Sequence, residues 1–284
     1  MTSPLQRSIL ITGCSSGIGF TCAQGLHQRG YRVFASARKA ADVERLRALG
    51  LEALLLDLDD TASIAAAVDH VLDKTGGTLY GLFNNGAFAQ PGAVEDVPTE
   101  ALRANFQTNV FGPHELTRRI IPIMRKQGHG RIIQNSSVLG LVAMPYRGAY
   151  NATKFAIEGL SDTLRLELKG TGIHVSLIEP GPIRSQFRAN AFLKYREHIN
   201  KEKSAFLTVY EGMERRLTKP GPAQPFTLGP EAVLDKLIHA LESSRPRQRY
   251  PVTVPTKLLW TLKRIVSGNV MDRVLLYFSR RENK

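Results

Sequence analysis

Residues 12–19 read Thr12-Gly13-Cys14-Ser15-Ser16-Gly17-Ile18-Gly19 and stand between a short apolar run at 8–12 and a helical pattern at 17–29. Glycines allow a sharp backbone turn and a close approach to a pyrophosphate, whose charge meets the free N–H groups of a helix N-terminus. The spacing is G-x-x-x-G-x-G rather than G-x-G-x-x-G, and a glycine-rich turn alone can be a simple tight connection. The strand before it and the helix after it favour a dinucleotide-binding turn.

Short β-branched and aliphatic runs alternate with longer helical patterns, which is typical of a parallel sheet covered by helices on both faces. The predicted strands are residues 8–12, 31–37, 52–57, 80–84, 130–136, 173–179 and 249–254. The predicted helices are residues 17–29, 41–49, 61–75, 99–127 and 148–170. We therefore predict an α/β fold, a Rossmann-type doubly wound parallel sheet, in a single domain over residues 1–254.

The composition is that of an ordinary globular protein, with 43% apolar and 22% charged residues among 284. The two cysteines, Cys14 and Cys22, have no other potential metal ligands near them in the sequence, so no metal site is predicted. They are also poorly placed for a disulfide. The first strand leaves no room for a signal peptide, and no apolar run reaches the roughly 20 residues of a membrane span. We expect a cytoplasmic protein.

The end of the second predicted strand indicates which dinucleotide binds. In NAD sites an acidic residue there, roughly 20 residues beyond the glycines, hydrogen-bonds the ribose. Here Ala37 stands at about that position, and Arg38 and Lys39 follow it. A guanidinium can hold a 2′-phosphate that an acidic residue would repel, so NADP(H) is predicted. The alternative is a pair of solvated surface cations.

Tyr150 and Lys154 lie four residues apart in a predicted helix and therefore project from one face. Because a neighbouring ammonium favours an ionised phenol, we expect Lys154 to lower the pKa of Tyr150. Such a phenol can protonate a carbonyl oxygen as hydride arrives, or take the proton in reverse. Ser137 ends a predicted strand and can hydrogen-bond the same oxygen, although a serine there could simply cap the next turn. Strand alternation directs its neighbour Ser136 to the opposite side.

From about residue 8 to residue 185 the sequence resembles the short-chain dehydrogenase/reductase family, through the glycine turn and through Ser137, Tyr150 and Lys154. The resemblance implies an oxidoreductase in which Asn109 helps to hold a water that relays protons from Lys154. The cofactor residues that it implies are Gly13, Ser15, Ser16, Gly17, Ile18, Gly19, Arg38, Lys39, Asp57, Leu58, Asn85, Gly86, Tyr150, Lys154, Pro180, Gly181, Ile183 and Ser185.

Within this family the chain resembles the branch of retinol and 17β-hydroxysteroid dehydrogenases, and most of all bacterial NADP-dependent aldehyde reductases. One motif departs from the family pattern, because the usual Asn-Asn-Ala-Gly is here Asn84-Asn85-Gly86-Ala87. We expect a small local adjustment beside the cofactor.

An apolar substrate is predicted from two segments. Residues 182–229 interrupt the alternation of strands and helices and carry five aromatic residues in their first part. They predict a mobile lid over the ligand crevice, and the alternative is a helical pair on the surface. The segment after Ser137, residues 138–146, is mostly apolar. Together they predict a pocket for a small apolar aldehyde, ketone or alcohol, although these residues could equally be core.

The C-terminal extension, residues 255–284, is basic and amphipathic, and residues 243–284 hold +8 of the net charge of +13. Its first pattern consists of Leu258, Leu259, Leu262, Ile265 and Val266, and a second runs from Val270 to Phe278. Residues 257–278 could contact the inner membrane surface peripherally, or could pack on the protein or at a subunit interface. A homodimer or tetramer remains open, and no nucleic-acid motif is present.

Two other kinds of function compete with reduction of a carbonyl. The same fold could serve a non-catalytic NADP-sensing regulator, which the intact set of Ser137, Tyr150, Lys154 and Asn109 disfavours. A sugar-nucleotide epimerase or dehydratase would use the same tyrosine and lysine, but its glycine spacing usually differs. A retinol- or hydroxysteroid-type alcohol dehydrogenase remains the alternative within the predicted chemistry.

Overall fold

The computed structural model describes residues 7–222 and 224–282 of the protein. The strands within them are β1 (Ser8–Ile11), β2 (Arg32–Ala37), β3 (Glu52–Leu55), β4 (Gly81–Asn84), β5 (Gly130–Asn135), β6 (Ile173–Glu179) and β7 (Arg249–Pro251). The α-helices are α1 (Gly17–Gln28), α2 (Ala40–Ala48), α3 (Thr61–Thr75), α4 (Thr99–Phe106), α5 (Gly112–Gln127), α6 (Gly148–Glu167), α7 (Phe187–His198), α8 (Leu207–Thr218), α9 (Glu231–Glu242), α10 (Val254–Ile265) and α11 (Gly268–Glu282).

The strands form one parallel sheet in the order β3-β2-β1-β4-β5-β6-β7. The chain winds outward in one direction from β1 to β3, and then in the other direction from β4 to β7. The predicted doubly wound α/β fold is therefore confirmed. The crevice of such a sheet opens at the carboxyl ends of the strands, where the order reverses between β1 and β4.

Hydrophobic packing on both faces explains the continuous apolar runs in the strands. Successive side chains of β1 point to opposite faces. Ile9 and Ile11 belong to a core cluster with Leu26 of α1 and Leu237 of α9. Leu10 belongs to the cluster on the other face, which includes residues of α3 and α5. Because both faces are covered, the strands read as buried rather than as alternating.

The helix predicted over 99–127 is interrupted in the structure. A π-helical turn, Gln107–Phe111, separates α4 from α5 and contains Asn109. Pro113 follows this turn within the same run of helical backbone, and it lacks the N–H that a helix interior uses. The hydrophobic period does not reveal one extra residue in a single turn, so the sequence predicted one continuous helix.

The predicted lid and tail both form helices. In the lid, α7 and α8 pack through Tyr195, Tyr210 and Met213 on Ala93, in the segment after β4. In the tail, α10 and α11 pack on residues 138–144. No helix in the described part of the chain is long and apolar enough to cross a membrane.

Candidate active site

The carboxyl ends of β1, β4 and β5 are tied together by polar side chains. The Thr12 hydroxyl accepts hydrogen bonds from the backbone N–H groups of Asn85 (2.9 Å) and Gly86 (2.8 Å). The Asn85 amide donates to the Thr12 carbonyl (2.9 Å), and Asn135 donates to the Asn85 side-chain oxygen (2.8 Å). These bonds hold the glycine turn against the loop that follows β4.

The glycine turn has the features that a dinucleotide phosphate needs. Gly13 has φ +72°, and a methyl group on it would lie 2.8 Å from the Cα of Gly86. The N-cap of α1, Ser16, forms no side-chain capping bond, so the first N–H groups of this helix are available to an anion. The turn therefore fits a pyrophosphate.

The shifted glycine of the Asn-Asn-Gly-Ala segment fits beside this turn without unusual backbone geometry. Among the described residues, Gly86 is not one of those with positive φ. A methyl group on it would lie 3.0 Å from Leu58 and 3.3 Å from the Thr12 hydroxyl. Gly86 thus packs closely against Leu58, itself a predicted cofactor residue, and the adjustment beside the cofactor stays a prediction.

The residues predicted for the adenosine end lie around one cleft. Arg38 and Asp57 both line an opening of about 680 Å³ beside β3 and α3. Arg38 and Lys39 are exposed at the end of β2. The Asp57 carboxylate accepts a hydrogen bond from the N–H of Asp59 (3.0 Å), which orders the loop after β3. This arrangement offers two cations without an acidic residue at the end of β2.

Arg45 is a residue of this region that sequence reasoning missed. It lies on α2, eight residues beyond the end of β2, and its guanidinium donates to the carbonyl of Ser15 in the glycine turn. The same guanidinium lies 5.8 Å from the ring centre of Phe20 and pairs with Asp42. No sequence motif predicts this contact, because Arg45 and Ser15 are 30 residues apart and are brought together only by the tertiary structure.

Tyr150, Ser137 and Lys154 are brought together as predicted. Tyr150 and Ser137 are each 8% exposed, and the Ser137 hydroxyl is close enough to hydrogen-bond the phenol. The Lys154 ammonium donates to the carbonyl of Asn135 (2.7 Å) and lies 5.5 Å from the centre of the Tyr150 ring. Serine, phenol and ammonium thus share one buried corner at the end of β5.

The expected lowering of the Tyr150 pKa is wrong for this structure. Burial raises the pKa of the phenol, and the Ser137 hydroxyl opposes this only in part. The Lys154 ammonium is directed at Asn135 instead of at the phenol oxygen, so its charge does not decide the shift. Tyr150 is accordingly a protonated phenol at neutral pH.

Asn109 lies beside this corner but is bonded to other partners. Its amide donates to the carbonyl of Phe88 (2.8 Å) and to the Thr153 hydroxyl (3.1 Å), and its oxygen accepts from the N–H of Phe88 (3.0 Å). The π-helical turn brings this side chain inward, and such turns often occur at functional sites. The bonds fix α6 against the loop after β4, while the predicted water relay to Lys154 stays a prediction.

The loop after β6 reaches both parts of the site. The Pro180 carbonyl accepts a hydrogen bond from the N–H of Val138 (2.8 Å), next to Ser137. A methyl group on Gly17 would lie 2.8 Å from the Cβ of Ser185, so the loop also meets the glycine turn. Ile183 forms a bridge with Leu228, and Gly181 packs closely on Thr253. The loop therefore borders the space between the turn and Tyr150.

Aromatic side chains of the lid surround Tyr150 and its preceding segment. The Phe187 ring lies 5.4 Å from the ring of Tyr150, and the Phe206 ring lies 5.4 Å from that of Tyr146. Tyr146 has φ +61°, an uncommon conformation for a bulky residue and one that concentrates at functional sites. Sequence reasoning missed this strain, because tyrosine carries no local signal for it.

This fold and site define a dinucleotide-binding oxidoreductase. Residues 7–196 match the family model of the short chain dehydrogenases, and the chain belongs to that family. It is 45% identical over 271 residues to the uncharacterized oxidoreductase YbbO of Escherichia coli K12, covering 95% of this chain and 94% of that one.

Two further relatives are more distant. The chain is 36% identical over 255 residues to bovine 17-beta-hydroxysteroid dehydrogenase type 6, covering 86% of this chain and 80% of that one. A short chain dehydrogenase/reductase from Burkholderia phymatum, solved in complex with NAD, superposes with a TM-score of 0.78 at 24% identity, covering 96% of this chain and 97% of that one. The resemblance to the family is confirmed, and the fold by itself does not distinguish NAD from NADP.

Proposed function

We propose that this protein is an NADP(H)-dependent reductase that converts an apolar aldehyde or ketone to the alcohol. The observation that carries the proposal is the meeting of Ser137, Tyr150 and Lys154 beside a phosphate-binding turn. The cofactor supplies the hydride when it is bound.

A protonated Tyr150 fits the general acid that reduction of a carbonyl requires. A general acid must carry its proton when the carbonyl oxygen gains negative charge. Burial raises the pKa of this phenol, so it holds a proton at neutral pH. Ser137 offers a second hydrogen bond to the same oxygen, which stabilises the charge that develops there. Lys154 provides a positive charge in the same buried corner.

The choice of NADP(H) rests on three cations near the end of β2. Arg38 and Lys39 directly follow the strand, and Arg45 reaches the glycine turn from α2. Ala37 ends the strand where an NAD site would carry an acidic residue. A 2′-phosphate placed here meets positive charge and no carboxylate at the strand end.

The walls near Tyr150 support an apolar substrate. Phe187 and Tyr146 present aromatic rings on the lid side, whereas Val138 and Leu139 after Ser137 pack against the tail helices. Such walls suit a lipid-like or aromatic carbonyl compound. The bovine hydroxysteroid dehydrogenase relative makes a steroid- or retinoid-type alcohol dehydrogenase the second candidate.

The catalytic part is tested with Tyr150→Phe. We expect turnover of NADPH with medium-chain or aromatic aldehydes to fall by about 10²- to 10⁴-fold, because the proton donor is lost. Cofactor binding, measured by NADPH fluorescence, should be retained. Tyr80→Phe is the matched control, since Tyr80 stands at the amino end of the central strand β4, away from the carboxyl ends that carry the site. Full activity of Tyr150→Phe would overturn the mechanism.

The cofactor part is tested with Arg38→Asp. The new carboxylate would repel a 2′-phosphate, so the KM for NADPH should rise about tenfold or more, while the KM for NADH changes little. Arg125→Asp makes the same charge change at the end of α5, next to the amino end of β5. An equal effect of Arg38→Asp on both cofactors would refute the assignment of Arg38.

The substrate class is tested with a panel of aldehydes, retinoids, steroids and 3-oxoacyl thioesters. We expect the highest kcat/KM with an uncharged apolar carbonyl compound and NADPH. A preference for steroids or retinoids with the oxidised cofactor would favour the second candidate. We also propose that the protein acts in the cytoplasm, where NADPH is the common reductant.

A further inference from the structure

Behind Lys154 lies a buried cluster of charged side chains, which we call the acid cluster: Glu158, Asp162, Glu179 and Arg249. The Arg249 guanidinium bonds to Glu158, to Glu179 (2.8 Å) and to Asp162 (2.6 Å). The Glu158 side chain is 8% exposed and that of Glu179 is fully buried, whereas Asp162 is 41% exposed. Three carboxyl groups thus share the Arg249 guanidinium, and Asp162 also pairs with Arg165 (3.4 Å).

The acid cluster contacts the catalytic corner through Glu158. This residue stands one helical turn after Lys154 on α6, and on a helix such positions are neighbours. A methyl group on Gly140 would lie 2.7 Å from the Ser136 hydroxyl, 2.9 Å from Glu158 Cγ and 3.1 Å from the Lys154 carbonyl. Glu158 is therefore packed between the helical turn of Lys154 and the loop that carries Ser137.

A purely structural ion pair does not account well for this arrangement. Burying carboxylates is costly, and apolar residues of similar volume often stabilise a protein as well as a buried ion pair does. Arg249 can neutralise only one of its carboxylates. Burial raises the pKa of Glu179 to about 7, with the charge of Glu158 adding to this effect. Burial raises the pKa of Glu158 as well, while its hydrogen bond with Ser136 and the charge of Arg249 act in the opposite direction, so the bond to Arg249 favours the charged form of Glu158 next to Lys154.

We propose that Glu158 is a positioning residue for the reaction, whose carboxylate, held by Arg249, keeps Lys154 protonated beside Tyr150. The inference rests on the proposed function, because it assumes that Lys154 serves proton transfer at Tyr150. The charged and titratable groups around the pair are Tyr150, Asp162 and Arg165 on α6, Glu179 on β6, Arg249 on β7 and Arg264 on α10.

The electrostatics of Lys154 agree with this role. Burial lowers the pKa of Lys154 to about 8, and the negative charge of Glu158 acts in the opposite direction. A protonated Lys154 at neutral pH therefore depends in part on Glu158. Without this carboxylate the pKa would fall further, and the ammonium would be lost at a lower pH.

The test is the pH profile of kcat/KM for aldehyde reduction with NADPH in Glu158→Gln. We expect the alkaline limb to move to lower pH by about 0.5 unit or more, while NADPH affinity changes less than about twofold. Glu158→Asp keeps the charge and should return the limb toward that of the unmodified protein. Asp162→Asn removes the same charge from the exposed side of the cluster and should leave the limb in place.

Folding and catalysis are separated by a second variant. If Glu158→Gln does not fold, Glu158→Met removes the same charge with a side chain of similar volume that suits a buried site, and Arg249 stays paired with Glu179 and Asp162. This variant should show the same displacement of the alkaline limb to lower pH. An unmoved alkaline limb in an active, folded Glu158 variant that lacks the carboxylate would overturn the inference. Failure of the proposed function itself would look different. In that case the unmodified protein would have no reductase activity, or Tyr150→Phe would keep full activity.

Discussion

At the scale of single residues, burial determines the chemistry of this site more than neighbouring charge does. Tyr150 is the example, since its pKa rises although Lys154 lies one helical turn away. The sequence identifies both residues and their shared helix face. It does not reveal that the ammonium is directed at the carbonyl of Asn135. Desolvation depends on all surrounding segments, so the sign of the shift could not be read from two positions.

The buried acid of the cluster leads to a prediction about stability and pH. Burial raises the pKa of Glu179 to about 7, so the folded protein binds more protons than the unfolded chain between about pH 4.5 and 7. The contribution of Glu179 to the free energy of unfolding is therefore fully present below about pH 4.5 and is lost as the pH rises through 7. Glu179→Gln mimics the protonated form, so its free energy of unfolding relative to the unmodified protein should be more favourable at pH 8 than at pH 5.

Urea unfolding at the two pH values measures this difference, which we expect to be about 2 kcal/mol, since one pKa unit corresponds to about 1.4 kcal/mol. Asp162→Asn is the control, because it removes a partner of the same arginine at a site that is 41% exposed. An identical difference for both variants would show that the pH effect does not arise from burial of Glu179.

At the scale of elements, two connections build the cofactor site, and only one of them has a sequence signal. The glycine spacing correctly indicates the turn between β1 and α1. The loop after β4 reads as a departure from the family pattern, yet Gly86 fits tightly against Gly13 and Leu58. The interruption between α4 and α5 was not predicted, because a π-helical turn needs no special residue.

The close approach of these two connections predicts the effect of Gly13→Ala. The methyl group would meet the Cα of Gly86 at 2.8 Å, and the φ of +72° is unfavourable for alanine. We expect the Kd for NADPH, measured by fluorescence titration, to rise about tenfold or more. Gly30→Ala has the same kind of strain, with φ +88°, but meets no atom within 4 Å. Equal affinities of the two variants would contradict this reading of the turn.

At the scale of the whole molecule, the tail belongs to the folded body. Leu259, Met271 and Leu275 pack on Val142 and Met144, in the segment after Ser137. The sequence placed Leu258 and Ile265 on the same apolar face as Leu259, and the structure buries only part of this face, since Leu258 and Ile265 are 50% and 74% exposed. The packing is one of the alternatives that the sequence left open.

This division of the tail predicts different effects for two double variants. Leu259→Ser with Leu275→Ser removes buried contacts and should lower the free energy of unfolding by about 2 kcal/mol or more. Leu258→Ser with Ile265→Ser changes exposed positions and should alter it by less than about 1 kcal/mol. Thermal unfolding of the full chain measures both. Similar losses in the two variants would mean that the tail packs differently.

The peripheral membrane contact of residues 257–278 stays a prediction, and the same exposed pair tests it. Leu258 and Ile265 lie on the outer side of α10, together with the basic residues Lys257 and Arg264. If the tail binds anionic vesicles, Leu258→Ser with Ile265→Ser should reduce co-sedimentation. Equal sedimentation of the variant and the unmodified protein would exclude contact through this surface.

The sequence by itself determined the alternation of strands and helices, the phosphate-binding turn, the cations after β2 and the identity of Ser137, Tyr150 and Lys154. These features are local, because they depend on residues within one turn or one strand–helix unit. Only the tertiary structure decided what lies behind and over the site. Arg249 meets Glu158 across 91 residues of chain, and Arg45 reaches Ser15 across 30. A periodic pattern reveals that a face is buried, but not what it is buried against, and it is those neighbours that determine the protonation of Tyr150 and Lys154.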